Sequence, residues 1–256
     1  MAIAIELREV CPNPFRIIKL PNGLWKVRFW NDDIEATVTP KAGTAEFWIR
    51  EICYHHRRRI NKQELVVGLD TEWCLPSSEN GHQKVAVLQL CVGRRCLVFQ
   101  LCHNYGIPSA LVEFLGDKRI TFVGKEVAAD ATMLLQNYGL LVANVRDVSR
   151  MAANKYEDPV YLRFGLSKLV FNILNVGMEK PREITMSEWD REVLSEKQIQ
   201  YAAIDGFVSC KLGVVLMKPV KQKQKRRIRK KSKKASFQIE REVEKQALLI
   251  KKEIRV

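Results

Sequence analysis

Two acidic residues close an apolar run in the first third of the chain. Asp70 and Glu72 end the stretch LVVGLDTEW, residues 65 to 73, whose composition predicts a buried strand. Because alternate residues of a strand share a face, the two carboxylates leave the same face about 6 to 7 Å apart along the chain. That spacing suits two oxygen ligands of one hard divalent cation. Taken alone, the pair is equally consistent with a solvated strand end.

Three further candidates lie where other elements are predicted to begin or to share a face. Asp130 follows the predicted strand RITFVG and lies in the first turns of a helix. Ligands of an open α/β sheet collect at the carboxyl ends of its strands, so this helix start can face the end of the 65 to 73 strand. Helix starts also favour acids because of the helix dipole. Tyr201 and Asp205 are four residues apart and share one helix face. A further hypothesis is that these five residues converge on one two-metal site.

The elements that must position these residues predict a mixed α/β domain. Three adjacent strands are followed by alternating helix and strand, which indicates a central mixed sheet flanked by helices. The predicted elements are, in order, a β-hairpin at about 25–38 with the turn NDD, a helix ending in HRRRI, strands at 65–73, 84–92 and 96–101 with a loop at 75–82, a helix at about 108–116, a strand at 119–124, a helix at about 128–137, a short strand near 144–149, and helices to about 216.

The net charge of +14 comes mainly from the end of the chain. Residues 218–256 hold sixteen Lys and Arg against four Glu. They predict a polybasic arm and a short amphipathic helix that begins near Ser236. Such an arm suits nuclear localisation or contact with phosphates, and a solvated arm without a specific role is the alternative. No stretch approaches about 18 uninterrupted apolar residues, and the seven cysteines lack a CxxC pair. We therefore expect reduced thiols, no membrane, and a nuclear or otherwise cytoplasmic location.

Five segments occur in the order and spacing of a known enzyme family. They are VVGLDTEW, KVAVLQLCV, FVGKEVAAD, GLSKLV and LSEKQIQYAAIDG. Together they resemble the 3′-5′ exonucleases of the DEDDy group, and most closely the Werner syndrome-like exonucleases. DDIEATVT and HRRRI are similar to the plant members in particular. The resemblance covers about residues 20 to 216. It implies a ribonuclease H-like fold with a core at about 62–216, inside an exonuclease domain of residues 1–217.

The resemblance also implies hydrolysis of nucleic acid from its 3′ end with two Mg²⁺ or Mn²⁺ ions. In that mechanism Asp70, Glu72 and Asp205 hold the ion that activates the attacking water. Asp70 bridges to a second ion, on which Asp130 acts mainly through water, and Tyr201 orients the attacking water. DNA is the favoured substrate. An exoribonuclease of RNA processing and a non-catalytic nucleic-acid-binding module are the alternatives.

Three positions depart from the family pattern. Lys125 and Glu126 stand where relatives usually have small or apolar residues, a change that is either benign or alters how the terminal nucleotide sits. Gly206 stands where alanine is usual and loosens its helix by up to about 1 kcal/mol. Two aromatic residues, Trp73 and Trp189, are open to two interpretations, stacking on bases or packing in the core.

Overall fold

An eight-stranded mixed sheet forms the centre of the computed structural model, which describes residues 15–74, 84–104 and 106–219. Across the sheet the strands are ordered β1-β2-β3-β6-β5-β4-β7-β8. The pairs β3 with β6, β4 with β7 and β7 with β8 are parallel, and the remaining neighbours are antiparallel. The strands are β1 Phe15–Lys19, β2 Trp25–Phe29, β3 Asp32–Thr39, β4 Leu65–Trp73, β5 Val85–Val92, β6 Arg95–Gln100, β7 Ile120–Gly124 and β8 Val145–Asp147.

Helices cover both faces of the sheet, so two hydrophobic layers enclose it. Helices α1, α2 and α3 pack on one face, whereas α4, α5 and α7 pack on the other. The helices are α1 Ala42–Asn61, α2 Ser109–Gly116, α3 Val127–Tyr138, α4 Val148–Tyr156, α5 Leu166–Leu174, α6 Arg182–Thr185 and α7 Glu196–Met217, with 3₁₀ turns at Leu101–His103 and Pro159–Arg163.

The predicted α/β architecture with a mixed sheet is confirmed, and the predicted elements within the described residues are present. The N-terminal hairpin is confirmed as β2 and β3, although Asp32 and Asp33 of the predicted turn already pair with β2. Strand β1 was not predicted. It is a partly exposed edge strand, so its sequence lacks a sustained alternation of apolar and polar residues. The predicted loop at 75–82, the polybasic arm beyond residue 219 and the helix near Ser236 lie outside the described residues.

One pair of cysteines differs from the prediction. Cys91 and Cys96 are opposite each other in the β5–β6 hairpin and form a disulfide. The prediction of reduced thiols is therefore wrong for this pair, because antiparallel pairing places the two side chains side by side on one face. The other described cysteines, Cys53, Cys74, Cys102 and Cys210, are free.

Helix α7 lies directly on the central strand β4. A Cβ atom added at Gly68 of β4 would lie 2.0 Å from the carbonyl oxygen of Gly206 and 2.6 Å from the backbone nitrogen of Cys210. The helix backbone therefore occupies the space of a strand side chain, which only glycine permits. Among the described helices, α7 is the one whose length and apolar composition would suit a membrane span, but 78% of its apolar window is buried. That burial is typical of a core helix.

Two glycine substitutions test this contact. We expect Gly68→Ala to lower the free energy of unfolding by about 3 kcal/mol, because its methyl group would displace the backbone of α7. Gly206→Ala is the matched control, since its methyl group would make ordinary contacts at 3.4 Å with Cβ of Gln89 and 3.5 Å with Cβ of Cys91. It gains helix propensity of up to about 1 kcal/mol. Urea denaturation measures both, and equal losses would contradict the close approach at Gly68.

Candidate active site

Three carboxylates converge where α7 crosses the end of β4. Asp70 and Glu72 point from β4 towards α7, and Asp205 points back from the helix. One oxygen of each carboxylate lies within 4.8 Å of the others. Glu72 and Asp205 are 6% and 1% exposed and Asp70 is half-buried, so water screens their charges poorly. The predicted convergence of these three residues is present in the structure.

Local sequence signals place Asp205 and Tyr201 within α7. Ser195 caps the helix and forms a capping box with Gln198. The Gln198 amide also donates to the Ser187 hydroxyl oxygen and to the Glu188 carbonyl oxygen, both at 2.9 Å. The segment before α7 is thereby fixed to its first turn. Tyr201 lies one turn before Asp205, and its hydroxyl oxygen accepts a hydrogen bond of 3.3 Å from the Thr185 hydroxyl.

Asp130 lies beside the three-carboxylate cluster and is not a member of it. It is buried in the first turn of α3, on the opposite face of the sheet from α7. Its Oδ1 accepts a hydrogen bond of 2.6 Å from Oγ1 of Thr71, whose side chain leaves β4 on the side opposite to Asp70 and Glu72. The structure therefore brings Asp130 to the same strand end but holds it through a hydroxyl.

Lys125 and Glu126, the two charged residues that depart from the family pattern, form an ion pair with each other. Nζ of Lys125 lies 2.7 Å from Oε1 of Glu126 at the turn into α3. The backbone N–H of Glu126 donates to Oδ2 of Asp147 at 2.6 Å. The side chain of Glu126 is 76% exposed. Burial raises the pKa of Asp130, the Thr71 hydrogen bond lowers it, and the charge of Glu126 raises it by a smaller effect.

The two tryptophans have separate roles in packing. Trp189 is 1% exposed, and its ring packs against that of Tyr201 with centroids 5.9 Å apart. Stacking of Trp189 on a base is therefore excluded in this structure. Trp73 is partly buried and packs against the hydrophobic layer that contains α1, α2 and α3. It faces away from Glu72, as strand alternation requires.

Two polar residues of the site were missed by sequence reasoning. Nζ of Lys180, in the segment between α5 and α6, lies 2.6 Å from Oδ2 of Asp205. Gln89 of β5 pairs with Asp70 in the sheet, and its buried amide has no hydrogen-bond partner among the described residues. Lys180 lies in an irregular segment, which gives its direction no periodic signal. Gln89 does interrupt an apolar strand, and that interruption was a usable signal.

Burial and mutual repulsion disfavour the charges of these acids. Burial, followed by the charge of Asp205, raises the pKa of Asp70 well above its usual range. Burial and then the charge of Asp70 have the same effect on the pKa of Glu72. Burial raises the pKa of Asp130 to about 6. Burial and then the charge of Asp205 raise the pKa of Tyr201 to about 12, so its hydroxyl stays protonated near neutral pH.

The donor set fits a hard divalent cation. All three clustered ligands are carboxylate oxygens, which Mg²⁺ and Mn²⁺ prefer, whereas zinc sites use His or Cys more often. Oδ1 of Asp205 is buried and accepts no hydrogen bond from the described residues. A buried carboxylate oxygen without a donor is costly unless a cation serves it. The residues present therefore fit a metal site.

A family comparison agrees with this geometry. The family model described as 3′-5′ exonuclease (DNA_pol_A_exo1) matches residues 44–221. The chain belongs to this exonuclease family. The match includes every residue of the three-carboxylate cluster together with Asp130, Tyr201 and Lys180. It leaves strands β1 to β3 outside the matched residues.

The matched region covers only part of the length of each relative. The 3′-5′ exonuclease of Arabidopsis thaliana is 35% identical over 153 residues, which are 59% of this chain and 52% of that protein. Human exonuclease 3′-5′ domain-containing protein 2 is 32% identical over 158 residues, 59% of this chain and 25% of that protein. The matched region thus spans about half and a quarter of these two relatives.

A solved structure shares the fold. Escherichia coli RNase D, an exoribonuclease involved in structured RNA processing, superposes on 71% of this chain and 45% of its own with a TM-score of 0.57. The sequences are 19% identical, so the likeness concerns the ribonuclease H-like fold. The predicted fold class of the chain is therefore confirmed.

Stability measurements with and without metal test the cluster. We expect Mn²⁺ at a hundred times its Kd to stabilise the protein by about 2.7 kcal/mol. Glu72→Gln removes one charge from the repulsive cluster, so it should raise the stability of the metal-free protein by about 1 kcal/mol and remove most of the stabilisation by Mn²⁺. Glu113→Gln is the matched control, because Glu113 is an exposed acid on α2. Equal responses of the two variants to Mn²⁺ in thermal unfolding would contradict a metal site at Glu72.

Proposed function

We propose that this chain is a metal-dependent 3′-5′ exonuclease that hydrolyses nucleic acid from its 3′ end and releases nucleoside monophosphates. The observation that carries the proposal is the cluster of half-buried Asp70 with buried Glu72 and Asp205, in which Oδ1 of Asp205 has no donor among the described residues. A protein that only binds nucleic acid gains nothing from buried acids that repel each other.

Each residue of the site has a role in this proposal. Bound divalent cations would lower the pKa of a water and stabilise the departing 3′ oxygen. Asp70, Glu72 and Asp205 would hold one cation. Asp70 would also bridge to a second, on which Asp130 acts through water, and its position behind Thr71 favours an indirect contact. Tyr201 would orient the attacking water through its hydroxyl, one helical turn from Asp205.

The nature of the nucleic acid belongs to the proposal as well. We favour DNA, and membership of the DEDDy group, because the segments around the acids resemble the Werner-like exonucleases, and DDIEATVT and HRRRI resemble their plant members. RNA is the second candidate, since RNase D shares the fold and is described as an exoribonuclease. Magnesium or manganese is the proposed cation, because both ions suit oxygen ligands.

We also propose a division of the chain at residue 217. Residues 1–217 would form the exonuclease domain, and residues 218–256 a basic arm that recruits phosphate backbones without reading sequence. The charge of this segment supports the division, with sixteen Lys and Arg against four Glu. The same basic run suits nuclear import, so we propose a nuclear location.

A nuclease assay tests the activity and the substrate together. Incubation with 5′-labelled single-stranded DNA, recessed duplex DNA and RNA should give a ladder that shortens from the 3′ end and disappears with EDTA. We expect Asp70→Asn and Asp205→Asn to reduce cleavage to background. Tyr201→Phe should lower kcat roughly a hundredfold, because it removes the group that orients the water.

Two matched variants control this assay. Asp190→Asn removes an exposed acid outside the cluster, and Tyr54→Phe removes an exposed phenol on α1. Both should retain the activity of the unchanged protein. Equal cleavage by Asp205→Asn and Asp190→Asn would contradict the proposed function. The ratio of kcat/KM for DNA and RNA decides the substrate.

Shortened chains test the basic arm. A variant that ends at Met217 should bind single-stranded DNA more weakly, because it lacks the cations that neutralise phosphates. The slope of log K against log salt should become shallower by about 0.7 for each phosphate that the arm neutralises in the full chain. Its kcat at saturating substrate should change little, because the cluster is intact. A variant that ends at Ala235 keeps the basic run and should bind as the full chain does. Equal affinity of the Met217 variant and the full chain would contradict recruitment by the arm.

A further inference from the structure

The ammonium of Lys180 lies inside the acidic site. Its Nζ is 2.6 Å from Oδ2 of Asp205 and 5.2 Å from the centroid of the Tyr201 ring. Contact with the ring face steadies a cation. About a third of the side chain, 31%, is exposed, so Lys180 lies where the acidic site meets the solvent. Lys180 thus borders both the carboxylates and the proposed position of the attacking water.

Lys180 does not have to leave Asp205 in order to contact another group. A lysine ammonium has three N–H donors, and the described residues account for one of them, the bond to Oδ2. Oδ1 of the same carboxylate remains free of hydrogen bonds from the described residues. Asp205 can therefore hold Lys180 with one oxygen while the other serves a cation, and Lys180 keeps donors for a second acceptor.

The charge balance of the site identifies that acceptor. Asp70, Glu72, Asp130 and Asp205 carry four negative charges when ionised, which the two divalent cations of the proposed function would neutralise. The phosphate of a bound substrate or product then lacks a counter-charge. Within residues 15–74, 84–104 and 106–219, Lys180 is the one lysine or arginine that forms an ion pair with any of these four acids. An ammonium is a common partner of phosphate in proteins.

The N-terminal strands fix the segment that carries Lys180. Nε1 of Trp30, at the turn between β2 and β3, donates a hydrogen bond of 2.8 Å to the carbonyl oxygen of Gly177. Val176 and Met178 pack against the same hydrophobic layer as Trp30. Pro181 follows Lys180 and restricts its backbone to extended conformations. The lysine therefore leaves a well-anchored segment, and its flexible stem alone adjusts the position of the ammonium.

We propose that Lys180 is a substrate-binding residue whose ammonium contacts the phosphate of the 3′-terminal nucleotide and keeps that contact with the 5′-phosphate of the released nucleotide. This inference rests on the proposed function. In this proposal Lys180 supplies the positive charge that balances the phosphate, whose negative charge the cations leave unmatched. The bond between Lys180 and Asp205 sets the position from which the ammonium reaches the phosphate. The ligand class is a nucleoside 5′-monophosphate.

Binding of a product separates this role from an effect on the metal. Titration calorimetry of the Mn²⁺-loaded protein with dAMP needs no turnover, and deoxyadenosine provides a probe without phosphate. We expect Lys180→Met to raise the Kd of dAMP about tenfold or more, to leave the Kd of deoxyadenosine unchanged, and not to weaken Mn²⁺ binding. Lys180→Arg keeps the charge and should restore part of the dAMP affinity. Lys168→Met is the matched control, because Lys168 lies over the Phe164 ring at 4.3 Å and outside the site.

Three results would overturn the proposal. The first is equal affinity of Lys180→Met and the unchanged protein for dAMP. The second is an equal loss of affinity for deoxyadenosine, which would indicate a change of pocket shape. The third is weaker Mn²⁺ binding by Lys180→Met, which would make Lys180 a positioning residue for Asp205. Failure of the unchanged protein to bind Mn²⁺ and to cut any substrate would instead reject the proposed function. Thermal unfolding of each variant verifies that it is folded.

Discussion

The direct contact between α7 and β4 determines the geometry of the site. Gly68 has no side chain, and the backbone of α7 at Gly206 and Cys210 occupies the space where one would be. Since Asp205 precedes Gly206 and Asp70 follows Gly68 by two residues on the same strand face, this approach brings the two carboxylates together. A larger residue at Gly68 would separate helix and strand, and the carboxylate oxygens would no longer lie within reach of one cation.

This geometry has an electrostatic cost. Burial and the neighbouring acids raise the pKa values of Asp70 and Glu72 well above their usual range, because carboxylates placed close together away from water lose solvation and repel each other. The surrounding hydrophobic layers hold the acids in place, and Lys180 compensates one of them through Oδ2 of Asp205. The negative charge that remains on the other carboxylates is the physical reason that the cluster suits cations. A site that is costly without its ligand is typical of a functional site, where stability is given up for chemistry.

Elements far apart in sequence support this one corner of the sheet. The N-terminal strands lie at the opposite edge from β7 and β8, yet Trp30 reaches the segment of Lys180 through the Gly177 carbonyl oxygen. Thr71 connects the strand of Asp70 to Asp130 on the other face. Trp189 packs against Tyr201 from the segment before α7. Neighbouring residues thus hold the five predicted site residues in place. The residue types of these neighbours do not indicate that role, which depends on their positions in space.

The sequence by itself determined the order and type of the elements from β2 to β8 and that helices follow to about residue 216, because hydrophobic periodicity is a local signal. It also determined that Asp70 and Glu72 share a face, as strand alternation requires, and that Tyr201 and Asp205 share another. Only the tertiary structure decided that Asp130 stands behind Thr71, that Lys180 enters the cluster, that Cys91 meets Cys96, and that β1 extends the sheet. These features depend on contacts between residues distant in the chain or on a weakly patterned edge strand, and no local periodicity encodes them.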